Sequence, residues 1–307
     1  MKPTLPARVT VVEVGPRDGL QNEGRTLSPA ERARFVSLLA DAGLPVIEAG
    51  AFVHPDRVPQ MAGTDEVFAA LARRPGTRYS ALVPNVKGLE RAAAAGVTEI
   101  AVFAAASDTF SRRNINQSID ESLRTYAAVC REAVGRSMRV RGYLSTCFGC
   151  PYEGPVPAAR VAELSAALID LGVFEVAVSD TIGVAHPGLV WDVLDTVARR
   201  VPLERIALHF HDTRGTGLVN VLAGLEAGIT TFDASCGGLG GCPFAPGASG
   251  NLATEDLVYL LDGLGIQTGI SLDGVMGASV SIEALVGHPL PSRVLAAHRR
   301  GGQAHDA

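Results

Sequence analysis

Aromatic residues are scarce: Phe, Tyr and Trp make up 5% of the 307 residues, and there is one Trp. Ala, Val and Leu must therefore build the core. Cysteine is also sparse, with five residues (Cys130, Cys147, Cys150, Cys236 and Cys242). In a chain this long that excludes a disulfide scaffold and points to a reducing, cytoplasmic compartment. No run of about 18 apolar residues occurs, so no membrane-spanning helix is expected. Basic residues are not in excess: 27 Lys and Arg face 32 Asp and Glu, for a net charge of −5. That balance argues against a nucleic-acid partner held by phosphate contacts. The opening MKPTLPARVTVVEV has neither an apolar h-region nor a long Arg/Ser-rich presequence.

What is present suits a large, connection-rich globular fold. Hydrophobic residues reach 47% and charged residues 19%, which supplies a core and excludes global disorder. With 34 Gly and 18 Pro the chain is too rich in turn formers for a helical bundle. Eight short β-branched runs stand out: Val9–Val14, Val46–Ala49, Tyr79–Val83, Glu99–Phe103, Arg139–Leu144, Glu175–Val178, Ile206–Phe210 and Thr230–Asp233. Helical spacing separates them, as in Val161, Leu164, Leu168 and Leu171. Ser28-Pro-Ala-Glu31 is a helix-start signature. Gly43, Gly96, Gly172 and Gly228 each close a helix just before a strand. Strand–helix alternation predicts parallel strands with right-handed crossovers. The economical closure is a (β/α)8 TIM barrel forming a single catalytic domain. Its barrel would span about residues 9–265, with a short helical extension over 266–291 and a frayed polar tail over 292–307. A doubly wound open sheet is the weaker alternative, because no G-x-G-x-x-G follows the first strand.

In such a barrel the chemistry stands at the C-terminal ends of the strands. Arg17 and Asp18 follow the first strand in a Gly/Pro-bounded turn; taken alone they read equally as a surface ion pair. Glu48 ends the apolar second run, where an unpaired charge is costly; it reads as a group of the site or, alternatively, as half of a structural salt bridge with a nearby Arg. His209 and His211 lie two apart on the seventh strand, so both rings share one face. Their Cα atoms are about 7 Å apart, at a rise of ~3.3 Å per residue. With Asp18 they form a His/His/carboxylate set that suits Mg²⁺, Mn²⁺, Fe²⁺ or Zn²⁺.

After the eighth strand, Ser235–Asn251 packs six glycines into 17 residues. That composition predicts a lid at the catalytic mouth. It includes Gly238, Gly240, Gly241 and Cys242, and ends in Asn251, which reads as a helix N-cap, a ligand or both. Asp180 at the sixth strand end either orients a ligand or caps a helix. Cys147-Phe-Gly-Cys150 reads as structural. His54, His186 and His288 sit beside prolines and need no functional role.

The specific strings are VEVGPRDGLQNE (12–23), PNVKGLERA, RRNINQSI, GCPYEG, SDTIGVAHPG, HFHDTRG, GLGGCPFAPGASGN and LATEDLVYLL. On these the chain resembles the 3-hydroxy-3-methylglutaryl-CoA lyases, metal-dependent lyases on a TIM barrel, from about Val9 to Gly269. The resemblance implies cleavage of an acyl-CoA thioester to acetyl-CoA and acetoacetate, in the setting of leucine degradation or ketone-body formation. It implies Mg²⁺ or Mn²⁺ held by Asp18, His209, His211 and Asn251. Arg17 would meet the enolate oxygen, Glu48 would support the site, and Cys242 would be the lid thiol. Asp18 or His209 would take the hydroxyl proton. A homodimer or higher oligomer is implied, with Leu272–Val286 as a contact segment. Two departures bear on the substrate: Ala51 stands where the family commonly has Ser, and Arg214 where some members have Tyr. Citramalyl-CoA or a longer-branched glutaryl-CoA is therefore an alternative substrate. A Claisen-condensing synthase and a metal-binding barrel without turnover are more distant readings.

Overall fold

A computed structural model describes residues 4–240 and 250–305. Eight strands, β1 (Thr10–Glu13), β2 (Val46–Ala51), β3 (Arg78–Leu82), β4 (Glu99–Ala105), β5 (Arg139–Ser145), β6 (Glu175–Asp180), β7 (Ile206–Phe210) and β8 (Thr231–Ala234), close into a barrel in sequence order. Every neighbouring pair is parallel, and β8 returns to β1. This is a TIM barrel. The surrounding helices are α1 (Pro29–Asp41), α2 (Thr64–Ala70), α3 (Val86–Ala94), α4 (Asp108–Ile115), α5 (Ile119–Gly135), α6 (Ala158–Asp170), α7 (Pro187–Val197), α8 (Gly217–Glu226), α9 (Thr254–Gly263), α10 (Leu272–Val286) and α11 (Arg293–His305).

The strands are legible because they are buried on both faces. Val11, Ile47, Ile100, Val140, Val176, Leu208 and Phe232 are at most 1% exposed. Alternate positions fill the bore, and there the chain departs from the usual branched apolar layers. Glu48, Arg141, Glu175, His209 and Asp233 sit in it instead. A register shift between Glu48 and Gly50 places a bulge just beyond the Glu48 carboxylate. Such bulges re-aim side chains at barrel rims. Helix starts and stops follow the sequence signals. Ser28 makes a full capping box with Glu31, and the glycines at 43, 96, 172 and 228 all have φ between 70° and 94°.

The structure corrects the expected frayed tail: residues 293–305 form α11. Asp256 of α9 explains it. Its carboxylate accepts from Ser292 Oγ at 2.9 Å, Arg293 N at 3.1 Å and Val294 N at 2.9 Å. These contacts satisfy N–H groups that a helix start leaves open, and Leu295 is buried behind them. Asn251 does not cap a helix; the residue before α9 is Ala253, without a side-chain cap.

Candidate active site

The β1 end sets the site. Directly after Glu13 the chain winds into a single π turn, Gly15–Gly19, with Asp18 N and Gly19 N both donating to Val14 O. The turn leaves Arg17 buried and brings Asp18 over the barrel mouth. Arg17 Nε donates to Glu48 Oε2 at 2.5 Å and Nη1 to Asp18 Oδ1 at 2.7 Å. The two alternative readings of these residues as ion pairs, Arg17 with Asp18 and Glu48 with a nearby Arg, thus meet in one guanidinium. Nη2 of Arg17 has no hydrogen bond to any described residue. Burial raises the Glu48 pKa against the pull of Arg17, and one of its oxygens, Oε1, is buried without a partner.

His209 and His211 project from the β7 end into the same space, with ring centroids 5.3 Å apart. One ligand atom each from Asp18, His209 and His211 lies within 4.8 Å of the other two. Burial opposes ionisation of Asp18, but Arg17, both imidazoles and the Asn251 amide outweigh it and hold its pKa at about 2. Burial, helped by His209, pushes His211 down to about 3. Both groups are therefore in their ligand forms at neutral pH. Asn251 joins them: Nδ2 donates to Asp18 Oδ2 at 2.9 Å and to Leu239 O at 3.1 Å. Its Oδ1, like His211 Nδ1, is buried with no hydrogen-bond partner among the described residues. Unspent buried acceptors on a carboxylate/imidazole cluster are what a divalent cation would satisfy. The residues fit the group.

Below the cluster lies a network that no local motif announced. Asp233 Oδ2 accepts from His209 Nδ1 at 3.1 Å, and both Asp233 oxygens accept from Arg141, at 2.8 and 3.2 Å. Arg141 Nε donates to Glu175 at 2.8 Å. Burial lowers the His209 pKa, yet the Asp233 bond and charge raise it above its ordinary value overall. Tyr143 stands between the two arginines, its ring 5.3 Å from Arg17 Cζ and 4.9 Å from Arg141 Cζ. The i, i+2 pattern Arg139-x-Arg141-x-Tyr143 in a strand was the available signal, because it puts charges on the bore face.

The remaining predicted residues divide. Gly238 and Gly240 are the described glycines among the four residues singled out in the expected lid segment. Gly240 has φ +109°, and a Cβ there would lie 2.7 Å from Asn251 Nδ2. Gly237 N donates to the Glu255 carboxylate, and its O accepts from Ser292 N at 3.1 Å. Gly241 and Cys242 lie outside the described residues. Asp180 neither caps a helix nor opens to the mouth: its oxygens accept from Val184 N at 3.0 Å and Ala185 N at 2.8 Å, folding the loop after β6. His186 caps α7. Cys147 Sγ bonds Leu144 O and Cys150 Sγ bonds Ser107 Oγ, so the C-x-x-C pair is structural. Arg214 bonds the carbonyls of Ile182 and Gly183, tying the loops after β6 and β7.

A family model described as HMGL-like matches residues 8–282. The chain belongs to the HMGL-like family. Among members, the hydroxymethylglutaryl-CoA lyase of Pseudomonas mevalonii is 51% identical over 298 residues, covering 97% of this chain and 99% of that protein. The 3-hydroxy-3-isohexenylglutaryl-CoA/hydroxy-methylglutaryl-CoA lyase of Pseudomonas aeruginosa is 50% identical over 289 residues, covering 94% and 96%. The crystal structure of the P. aeruginosa hydroxymethylglutaryl-CoA lyase superposes with a TM-score of 0.95 at 49% identity, over 97% of this chain and 99% of that one. The HMGL-like barrel thus extends through β1–β8 and α9 into α10. Among the described residues, no helix is long and apolar enough to cross a membrane.

Proposed function

We propose that this chain is a divalent-metal-dependent carbon–carbon lyase that cleaves 3-hydroxy-3-methylglutaryl-CoA to acetyl-CoA and acetoacetate. The carrying observation is the Asp18–His209–His211 cluster set against Arg17, whose Nη2 makes no hydrogen bond to a described residue. Mg²⁺ or Mn²⁺ suits the mixed oxygen and imidazole donors and, when bound, would lower the pKa of the substrate 3-hydroxyl. Asp18, His209, His211 and Asn251 would hold it. In the retro-aldol step the C2–C3 bond breaks and charge moves to the thioester oxygen. Arg17 is already aimed by Glu48 and Asp18, and meets that charge with fixed N–H donors. Asp18 and His209 are the two groups placed to take the hydroxyl proton, although a group bound to the cation would have little spare basicity. Gly238, Gly240 and Gly241 would let the lid close, bringing Cys242 to protonate the enolate and excluding water.

A second reading keeps the chemistry and changes the acyl chain. Ala51 and Arg214 depart from the family pattern, and one relative carries a longer-branched glutaryl-CoA in its name. The chain's own oligomer is proposed as a homodimer through α10, which exposes Val280 at 49%; light scattering giving one chain mass would overturn that. A cytoplasmic setting fits the free thiols of Cys130, Cys147, Cys150 and Cys236.

The test is acetyl-CoA release from 3-hydroxy-3-methylglutaryl-CoA with Mg²⁺, then with excess EDTA. Release abolished by EDTA and restored by Mg²⁺ or Mn²⁺ supports the reading. No release from that thioester, with release from 3-hydroxy-3-isohexenylglutaryl-CoA, selects the second.

A further inference from the structure

The bore of this barrel holds three buried charges under the metal cluster, and their hydrogen bonds form one line. Arg141 rises from β5 and reaches across the bore to Asp233 on β8, a partner 92 residues away. Each of its three nitrogens makes a bond: Nε to Glu175, Nη1 and Nη2 to Asp233. The bidentate fork fixes the plane of the Asp233 carboxylate. Asp233 Oδ2 then receives His209 Nδ1, from the neighbouring strand, at cross-strand register. Asp233 and Arg141 are each 2% exposed, so neither can turn toward water. Tyr143 closes the third side, its ring edge-on to the His209 imidazole at 6.4 Å between centroids.

Stability alone does not call for this arrangement. Burying three charges costs several kcal/mol each in desolvation, and branched apolar side chains fill such bores at least as well. The two lower arginines of the bore give a contrast. Arg78 and Arg139 both pair with Glu99 at the N-terminal end, are 41% and 49% exposed, and make no contact with either metal-site histidine. Of these three arginines, Arg141 is the one joined, through one carboxylate, to a residue of the cluster.

We propose that Arg141 is a positioning residue of the metal site: through Asp233 it fixes the rotation and tautomer of His209, so that Nε2 presents its lone pair toward Asp18 and His211. The inference rests on the metal reading of that cluster. Partners of this kind around a ligating histidine are typically worth 10–100-fold in metal affinity.

The test is Mn²⁺ binding to the metal-free protein by calorimetry, with circular dichroism to establish folding. Arg141→Met leaves the Asp233 carboxylate with one bond and is expected to weaken Mn²⁺ by 10–100-fold. Arg141→Lys restores one charged donor and is expected to recover part of the loss. Should Arg141→Met fail to fold, Asp233→Asn decides, with weakening expected because its amide can equally donate to Nδ1 and reverse the tautomer. A folded Arg141→Met or Asp233→Asn protein that melts earlier yet binds Mn²⁺ as tightly as the parent makes the network structural and overturns the proposal. A parent protein that binds no Mn²⁺ overturns the metal reading itself, and this proposal with it.

Discussion

Two buried arginines share the barrel bore, and each holds two carboxylates. The upper one, Arg17, pairs with Asp18 and Glu48; the lower one, Arg141, pairs with Asp233 and Glu175. Tyr143 separates them. They differ in what remains unspent. Each Arg141 nitrogen makes a bond, whereas Arg17 Nη2 makes none to a described residue, and its partner Glu48 has Oε1 buried without a partner among the described residues. The upper cluster also sits beside His211 Nδ1 and Asn251 Oδ1, both unsatisfied. Among the described residues, three of the buried side-chain atoms without a partner (Glu48 Oε1, His211 Nδ1 and Asn251 Oδ1) lie at the mouth, and none belongs to Arg141, Asp233 or Glu175 beneath it. Completeness of hydrogen bonding thus separates the group that reacts from the group that holds.

The sharpest way to break this contrast is Arg17→Gln. Removing a donor aimed at developing charge typically costs about 10²–10³ in rate. The expected result is a kcat loss of that order with Mn²⁺ affinity retained; unchanged turnover would remove Arg17 from the chemistry. Glu48→Gln is a milder probe. It replaces one charge-assisted bond to Arg17 by a neutral one, a difference of about 1 kcal/mol, so kcat should fall several-fold. A loss as large as that of Arg17→Gln would mean that Glu48 itself meets the substrate.

Thiol reagents extend the comparison to the lid. The four described cysteines are buried, and burial pushes Cys130 up to about 11 and Cys147 and Cys236 higher still. Inactivation by a thiol reagent should therefore vanish in Cys242→Ser. Inactivation that persists would assign the reactive thiol to Cys147 or Cys150.

The smallest effect concerns the carboxylates beside the lid stem. Glu13 accepts from Gly15 N, Cys236 N and Thr254 Oγ1, yet burial raises its pKa from 4.5 to about 7. Glu255, under Gly237, is likewise raised to about 7 by burial. Both bind their protons more tightly in the fold, so their contribution is full below about pH 4.5 and is lost as pH rises to about 7. Asp18 has the opposite sign: its contribution is full above 3.8 and is lost as pH falls to about 2. The melting temperature should thus decline between pH 5 and pH 8, and Glu13→Gln should flatten that decline. An equal slope in the variant would remove Glu13 as a source.

The eight strands and their order were legible because each is largely buried on two faces and because α1, α3, α6 and α8 each end at a glycine with positive φ just before a strand. His209 and His211 were legible because strand periodicity puts them on one face, and Arg17 and Asp18 because the turn after β1 is locally marked. Arg141, Tyr143 and Asp233 were not, since their partnership crosses the bore and exists only once the register is set. The polar composition of the tail concealed α11, whose start is fixed by Asp256, about 36 residues earlier in the chain. Asn251 resembled a cap because it lies just before α9, but the isolated bridge to His211 turns it to the mouth instead.

The central claim is that one divalent cation sits between Asp18, His209 and His211. Anomalous diffraction from Mn²⁺-soaked crystals tests it most directly. The account predicts a single strong peak within ligand distance, about 2.0–2.3 Å, of one atom from each of these three side chains. A peak elsewhere in the molecule, or none at this cluster, would contradict it.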